Sequence, residues 1–272
     1  MYEPHSGGGS PFGEDWPQAL HGAYRRRRGG GFLMGLLLAC LSTAAVTAFT
    51  WVYPSGESTG PAAGTVRQSA LPAALSAPAA APVTVPRRGT GRFVRAPGST
   101  PKVGRGRLLR YAVEVEDGIG QQAAEFARIV DGVLAHRRGW TAGGEWAFKR
   151  VSSSRYDFVV RLASPDTVDE ICARYGLDTE GEVNCAGGRD VVINLRRWLL
   201  LTPYYKDRPA LYRALAINHE VGHRLGHGHV TCPRKGRPAP VMQQQIFGLK
   251  GCVINAWPYD ARGRFITGPS VS

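Results

Sequence analysis

Apolar and polar positions divide the chain into four stretches with different periodicities. The longest apolar run covers 32–52 and carries no charge over 21 residues. At about 1.5 Å per residue it is long enough to cross a hydrocarbon layer of about 30 Å, which predicts a transmembrane helix with Trp51 and Tyr53 at the far interface. Residues 1–31 are rich in glycine and polar side chains and follow neither a 2- nor a 3.6-residue period, so they are expected to be a disordered tail. Four arginines at 25–28 precede the run, and no charge follows it until Glu57. That asymmetry places the tail in the cytoplasm and the rest outside, as in a single-pass cell-membrane protein with a signal-anchor. A cleaved signal peptide, or a lipoprotein processed at Cys40, is the competing reading. The long tail and the apolar residues that continue past Cys40 weigh against both. Residues 53–105 are Pro/Ala-rich with almost no large apolar side chains before Phe93, which predicts an extended extracytoplasmic linker.

From 106 to 272 the pattern is that of a folded domain. Tyr111, Val113 and Val115 alternate with charged or small neighbours, a strand closed by a turn at Asp117-Gly118. Ala123, Phe126, Ala127, Val130, Val133 and Leu134 form one helical stripe ahead of Gly139. Strands are expected over 146–151, 156–162 and 191–195. A second helix starts at Ser164-Pro165, with Ser164 as N-cap, and presents Val168, Ile171, Cys172 and Tyr175 on one face. A third runs from Asp207, read as its N-cap, through Pro209 to a stop at Gly226, with Leu211, Ala214, Leu215, Asn218, Gly222 and Leu225 facing the core. The expected order is strand, helix, two strands, helix, strand and then the third helix.

Composition narrows the function classes. The chain has 34 Lys+Arg against 21 Asp+Glu, a net charge of +13. Apart from 25–28 the surplus is scattered, with no basic block, aromatic interleaving or nucleic-acid-binding motif, so nucleic acid is not expected as a partner. A single long apolar run excludes a multi-span transporter. Cys172, Cys185, Cys232 and Cys252 are an even set in a domain placed outside the membrane, which suggests two disulfides. Three pairings exist, and nearness in sequence favours Cys172–Cys185 and Cys232–Cys252.

The chemistry concentrates in the third helix. His219 and His223 are four residues apart, so their imidazoles stack one turn apart on one side and can share a Zn²⁺. Glu220, beside the first histidine, can reach a water at such a metal without being a ligand. Gly226 permits a sharp turn and His229 follows, giving H-E-x-x-H-x-x-G-x-x-H over 219–229, a far rarer coincidence than H-E-x-x-H alone. Four of the seven histidines fall in these eleven residues. His227 is a rival third ligand, but the turn at Gly226 favours His229. Cys232 is a weaker alternative ligand.

These residues resemble the metzincin clan of zinc metallopeptidases, and the chain looks most like membrane-anchored bacterial zincin-like domains, over about 106–272. The resemblance implies an α+β, zincin/metzincin-like fold with a small mixed sheet and an active-site helix, one Zn²⁺ per chain held by His219, His223 and His229, and a Met-turn beneath the metal at Met242. It implies hydrolysis of a peptide bond by a zinc-activated water, with Glu220 as general base. Some metzincins have a metal-binding Tyr two residues after the Met. Gln244 stands there, so three protein ligands are expected. The resemblance also implies an edge strand that pairs with an extended substrate, here 191–195 or its neighbour. The expected function is therefore a membrane-anchored extracytoplasmic zinc endopeptidase acting on a peptide or protein. The alternatives are a zinc amidase or peptidase acting on cell-wall peptides, and a non-catalytic binding module with a vestigial site.

Overall fold

The computed structural model describes residues 83–271, so the expected tail, the apolar run 32–52 and most of the expected linker lie outside the described residues. Among the described residues no helix is long and apolar enough to cross a membrane. The fold is a mixed α/β arrangement built on one small mixed sheet and few helices. The strands are β1 (Phe93–Arg95), β2 (Val103–Gly104), β3 (Arg107–Glu116), β4 (Trp146–Arg150), β5 (Phe158–Ala163), β6 (Cys185–Gly187) and β7 (Asp190–Asn194). Their order is β2-β4-β3-β5-β7-β6, with β1 pairing with the end of β3 beyond β4. β4, β3, β5 and β7 run parallel to one another, whereas β1, β2 and β6 pair with them antiparallel.

Helices cover both faces of the sheet, which is why β5 and β7 read as apolar runs rather than strict alternations. Val160 and Leu162 of β5 and Val191 and Ile193 of β7 join the core with α1 (Ala123–Ala135) and α4 (Pro209–Arg224). Ala163 and Val192 point the other way and pack with Val168, Ile171 and Cys172 of α2 (Pro165–Ala173). The short α3 (Leu195–Leu200) follows β7 directly, its first turn capped by the Asn194 side chain, which accepts from the Arg196 N–H at 2.9 Å.

Several expectations change. The folded unit begins well before residue 106, because β1 and β2 come from the segment expected to be linker and Ala96 is fully buried. Two- and three-residue strands set among Arg, Gly and Pro carry too few apolar positions to show a period. The strand expected over 191–195 is interior, between β5 and β6, and its last residue opens α3, so the sheet ends at its neighbour β6. Tyr175 lies beyond the end of α2. The N-cap of α4 is Arg208 rather than Asp207, since Pro209 occupies the first helical position.

Candidate metal centre

α4 is buried almost all round from Ala214 to His223, and the residues it buries include Asn218, His219, Glu220 and His223. Ionisable groups are costly inside a protein unless they are paired or hold a metal, so this stretch marks a site. The helix stops where the sequence requires. Gly226 has φ +93°. Its N–H donates to the His223 carbonyl at 2.9 Å, and the His227 N–H donates to the Gly222 carbonyl at 3.0 Å. This is a Schellman cap, available to glycine at little cost, and it turns the chain so that His229 comes back toward the helix.

The Nε2 atoms of His219, His223 and His229 form a triangle with edges of 3.2, 3.3 and 3.1 Å. Two of the rings have fixed tautomers. His219 Nδ1 donates to the Val241 carbonyl at 2.7 Å and His223 Nδ1 to the His227 carbonyl at 2.9 Å. A carbonyl only accepts, so Nδ1 carries the proton and each Nε2 offers a bare lone pair. Two lone pairs face each other at 3.2 Å, a repulsive contact that a cation at the triangle's centre would reverse. Burial keeps the imidazoles neutral. It pushes His219 down to about 4 and His229 down to about 3, and it holds His223 well below the ordinary histidine range.

The triangle fits a metal. Tetrahedral bonds of about 2.0–2.1 Å to nitrogen give ligand-to-ligand edges of about 3.3 Å, close to those found. Among the described residues, His219, His223 and His229 form the group of side chains placed to hold a metal ion. His227 is turned away: its ring stacks on Trp140 with centroids 4.6 Å apart. Cys232 is committed to a disulfide with Cys252, and Cys172 pairs with Cys185, so the nearest-in-sequence pairing is the one formed.

Glu220 is 3% exposed, and one carboxylate oxygen has no hydrogen-bond partner. Burial pushes its carboxyl up to about 8. An unpartnered buried carboxyl oxygen costs free energy in the resting fold and is the kind of group found at sites of chemistry. Together with His219 it lines a shallow cleft that is open to solvent. One wall is Tyr212, Leu215 and Ala216 of α4, another is Val183 and Asn184 leading into β6, and the third is Gln243 to Phe247. Gln244, where a tyrosine ligand would stand, is part of that third wall.

Met242 lies against the helix between the two histidines. A Cβ on Gly222 would stand 2.3 Å from its sulfur and 2.7 Å from Cζ2 of Trp140, so the glycine is what lets both side chains reach the backbone there. Trp140 is fixed by its indole N–H, which donates to the Asn218 carbonyl at 2.9 Å. Trp140, the Val241 carbonyl and the cleft walls escaped sequence reasoning, because each is set by a distant segment. The one local signal was Gly222, a glycine kept inside an otherwise good helix.

The family described as "Protein of unknown function (DUF3152)" has a model that matches residues 78–260, and the chain belongs to that family. No curated protein and no solved structure matches the chain.

Proposed function

We propose that this DUF3152 chain is a metzincin-like zinc endopeptidase, anchored by a single membrane helix over 32–52 with its hydrolytic domain outside the cell. One observation carries the reading: three convergent histidine Nε2 atoms, 3.1–3.3 Å apart, two of them deprotonated by the carbonyls behind them. Three neutral imidazoles suit zinc, and three protein ligands are the number typical of catalytic rather than structural zinc sites. His219, His223 and His229 would hold the zinc ion, which would supply a Lewis acid able to polarise a carbonyl and make water acidic near neutral pH.

The chain's own residues do the rest. The Val241 and His227 carbonyls hold the His219 and His223 rings in the ligating tautomer. Glu220 faces the cleft with an unpartnered oxygen; a cation held at the histidines would favour its ionised form, in which it would take the proton of the attacking water and return it to the leaving amine nitrogen. Leu215, Ala216, Val183 and Ile246 give the cleft an apolar lining that receives a substrate side chain and excludes water from the scissile bond. The antiparallel β6 ends the sheet beside α4, which supports the metzincin-like comparison.

The test starts with elemental analysis of the purified chain and of His229→Ala, then offers denatured protein and cell-wall peptide fragments side by side. About one zinc per chain, much reduced in the variant, is expected. Glu220→Ala is expected to keep the zinc and lose hydrolysis. No zinc after reconstitution, or hydrolysis by Glu220→Ala at the wild-type rate, would overturn the proposal. Which substrate is cut separates a protein endopeptidase from a cell-wall peptidase.

A further inference from the structure

Of the three histidines, His229 alone is not on α4. It follows the helix stop, in a segment with exposed glycines at 226 and 228, so its position depends on what holds that segment from outside. Glycine-rich backbone loses more conformational freedom on ordering than any other, and an unbraced 226–231 would not keep an imidazole in register with two helical ones. One brace is the Val230 N–H, which donates to the Met242 carbonyl at 3.2 Å. On the other side lies the C-terminal segment. The Val271 N–H donates to the His229 carbonyl at 3.1 Å, the Thr231 N–H donates to the Pro269 carbonyl at 2.8 Å, and Val230 and Ser270 form an antiparallel bridge.

Two further contacts fix how close this segment lies. A Cβ on Gly268 would stand 2.0 Å from the Thr231 carbonyl oxygen, a backbone atom that cannot swing aside. Phe265 packs its ring 5.6 Å from that of His227 and 6.0 Å from that of Trp140. The ligand-bearing segment is thus clasped between the Met242 backbone and residues 265–271, and 265–271 contribute no ligand themselves.

We propose that residues 265–271 are a positioning element for the third metal ligand, so that metal retention depends on their staying docked against 229–231. The proposal rests on the metal-site reading above. Gly268 and Phe265 are positioning residues that act through His229. Groups of this kind behind a ligand typically change metal affinity by about 10–100-fold.

The experiment measures zinc affinity of the full chain in mild detergent, by competition with a chromophoric chelator. The proteins are wild type, Gly268→Ala, Phe265→Ala, His229→Ala and the double variant Gly268→Ala/His229→Ala. Gly268→Ala is expected to weaken zinc binding about tenfold or more, with Phe265→Ala moving the same way. Neither substitution should alter the far-ultraviolet circular dichroism of the metal-free protein. Cobalt-loaded Gly268→Ala should have a visible spectrum shifted toward that of His229→Ala, and the glycine effect should vanish when His229 is already alanine. A general loss of fold would instead persist in the double variant. Should Gly268→Ala fail to fold, Phe265→Ala alone decides. The proposal falls if wild type binds zinc and the folded variants bind it equally well, or if the loss is undiminished without His229. A wild-type chain that takes up no zinc removes the metal-site reading itself, and this proposal with it.

Discussion

Replacing Gly222 with alanine sets two opposed effects against each other at the centre of the site. In an exposed helix interior, glycine to alanine stabilises by about 1 kcal/mol. Here the new methyl would stand 2.3 Å from the Met242 sulfur and 2.7 Å from Trp140 Cζ2, more than an ångström inside ordinary contact distance for at least one of them. Neither neighbour has room to retreat. Met242 and Trp140 are 3% and 1% exposed, and the indole is pinned to the Asn218 carbonyl. Overpacking of a dense core costs about 1–3 kcal/mol, so the expected net change is a loss of about 1 kcal/mol. The displaced Met242 also drags on Val241, whose carbonyl orients His219, so zinc affinity should fall about tenfold. Urea unfolding of the metal-free chain reads the first quantity, and chelator competition reads the second. Adding Met242→Ala should restore part of the stability lost to the methyl, a coupling expected only if the two groups collide. A Gly222→Ala protein about 1 kcal/mol more stable than wild type, with unchanged zinc affinity, would refute the reasoning.

Replacing both Cys232 and Cys252 with serine should destabilise the metal-free chain by about 3 kcal/mol, as expected for a closed loop of about 20 residues. It should also weaken zinc binding, because that loop carries Met242 and begins three residues past His229. Equal urea midpoints for variant and wild type would argue against it. Glu116→Gln should cost about 2–3 kcal/mol. The buried carboxylate accepts from the Gly91 and Ser164 N–H groups and from the Ser164 and Thr167 hydroxyls, and an amide NH₂ would face donors. Because this cluster ties β3 to the start of α2, away from the histidines, zinc affinity of the folded variant should be unaltered. A stability change below about 0.5 kcal/mol would contradict the account.

What could be read from the sequence was local. β3, β5, α1, α2 and α4 each carry enough apolar positions to establish a period, and the histidine spacing is itself a statement about helix geometry. Gly226 was legible for the same reason, since a Schellman cap is completed within six residues. β1, β2 and β6 are too short to show a period and exist because longer neighbours present unpaired edges. α3 was hidden by position, since its first residue completes an apolar strand pattern. Asn194, which caps it, was the available signal. At the site the division falls between ligands and supports. The three histidines and Glu220 lie within eleven residues, but the Val241 carbonyl comes from 22 residues beyond His219, and Trp140 and the C-terminal segment come from farther still. A carbonyl acceptor leaves no mark on its residue type, so no pattern could announce it. Its counterpart can leave one, in a glycine kept where alanine would make a better helix or strand. Gly222 and Gly268 are two such places, each where a second segment presses on the backbone that carries or braces a ligand. For this chain the informative glycines are therefore those at close approaches, and they locate the support of the candidate site as surely as the histidine spacing locates the site itself.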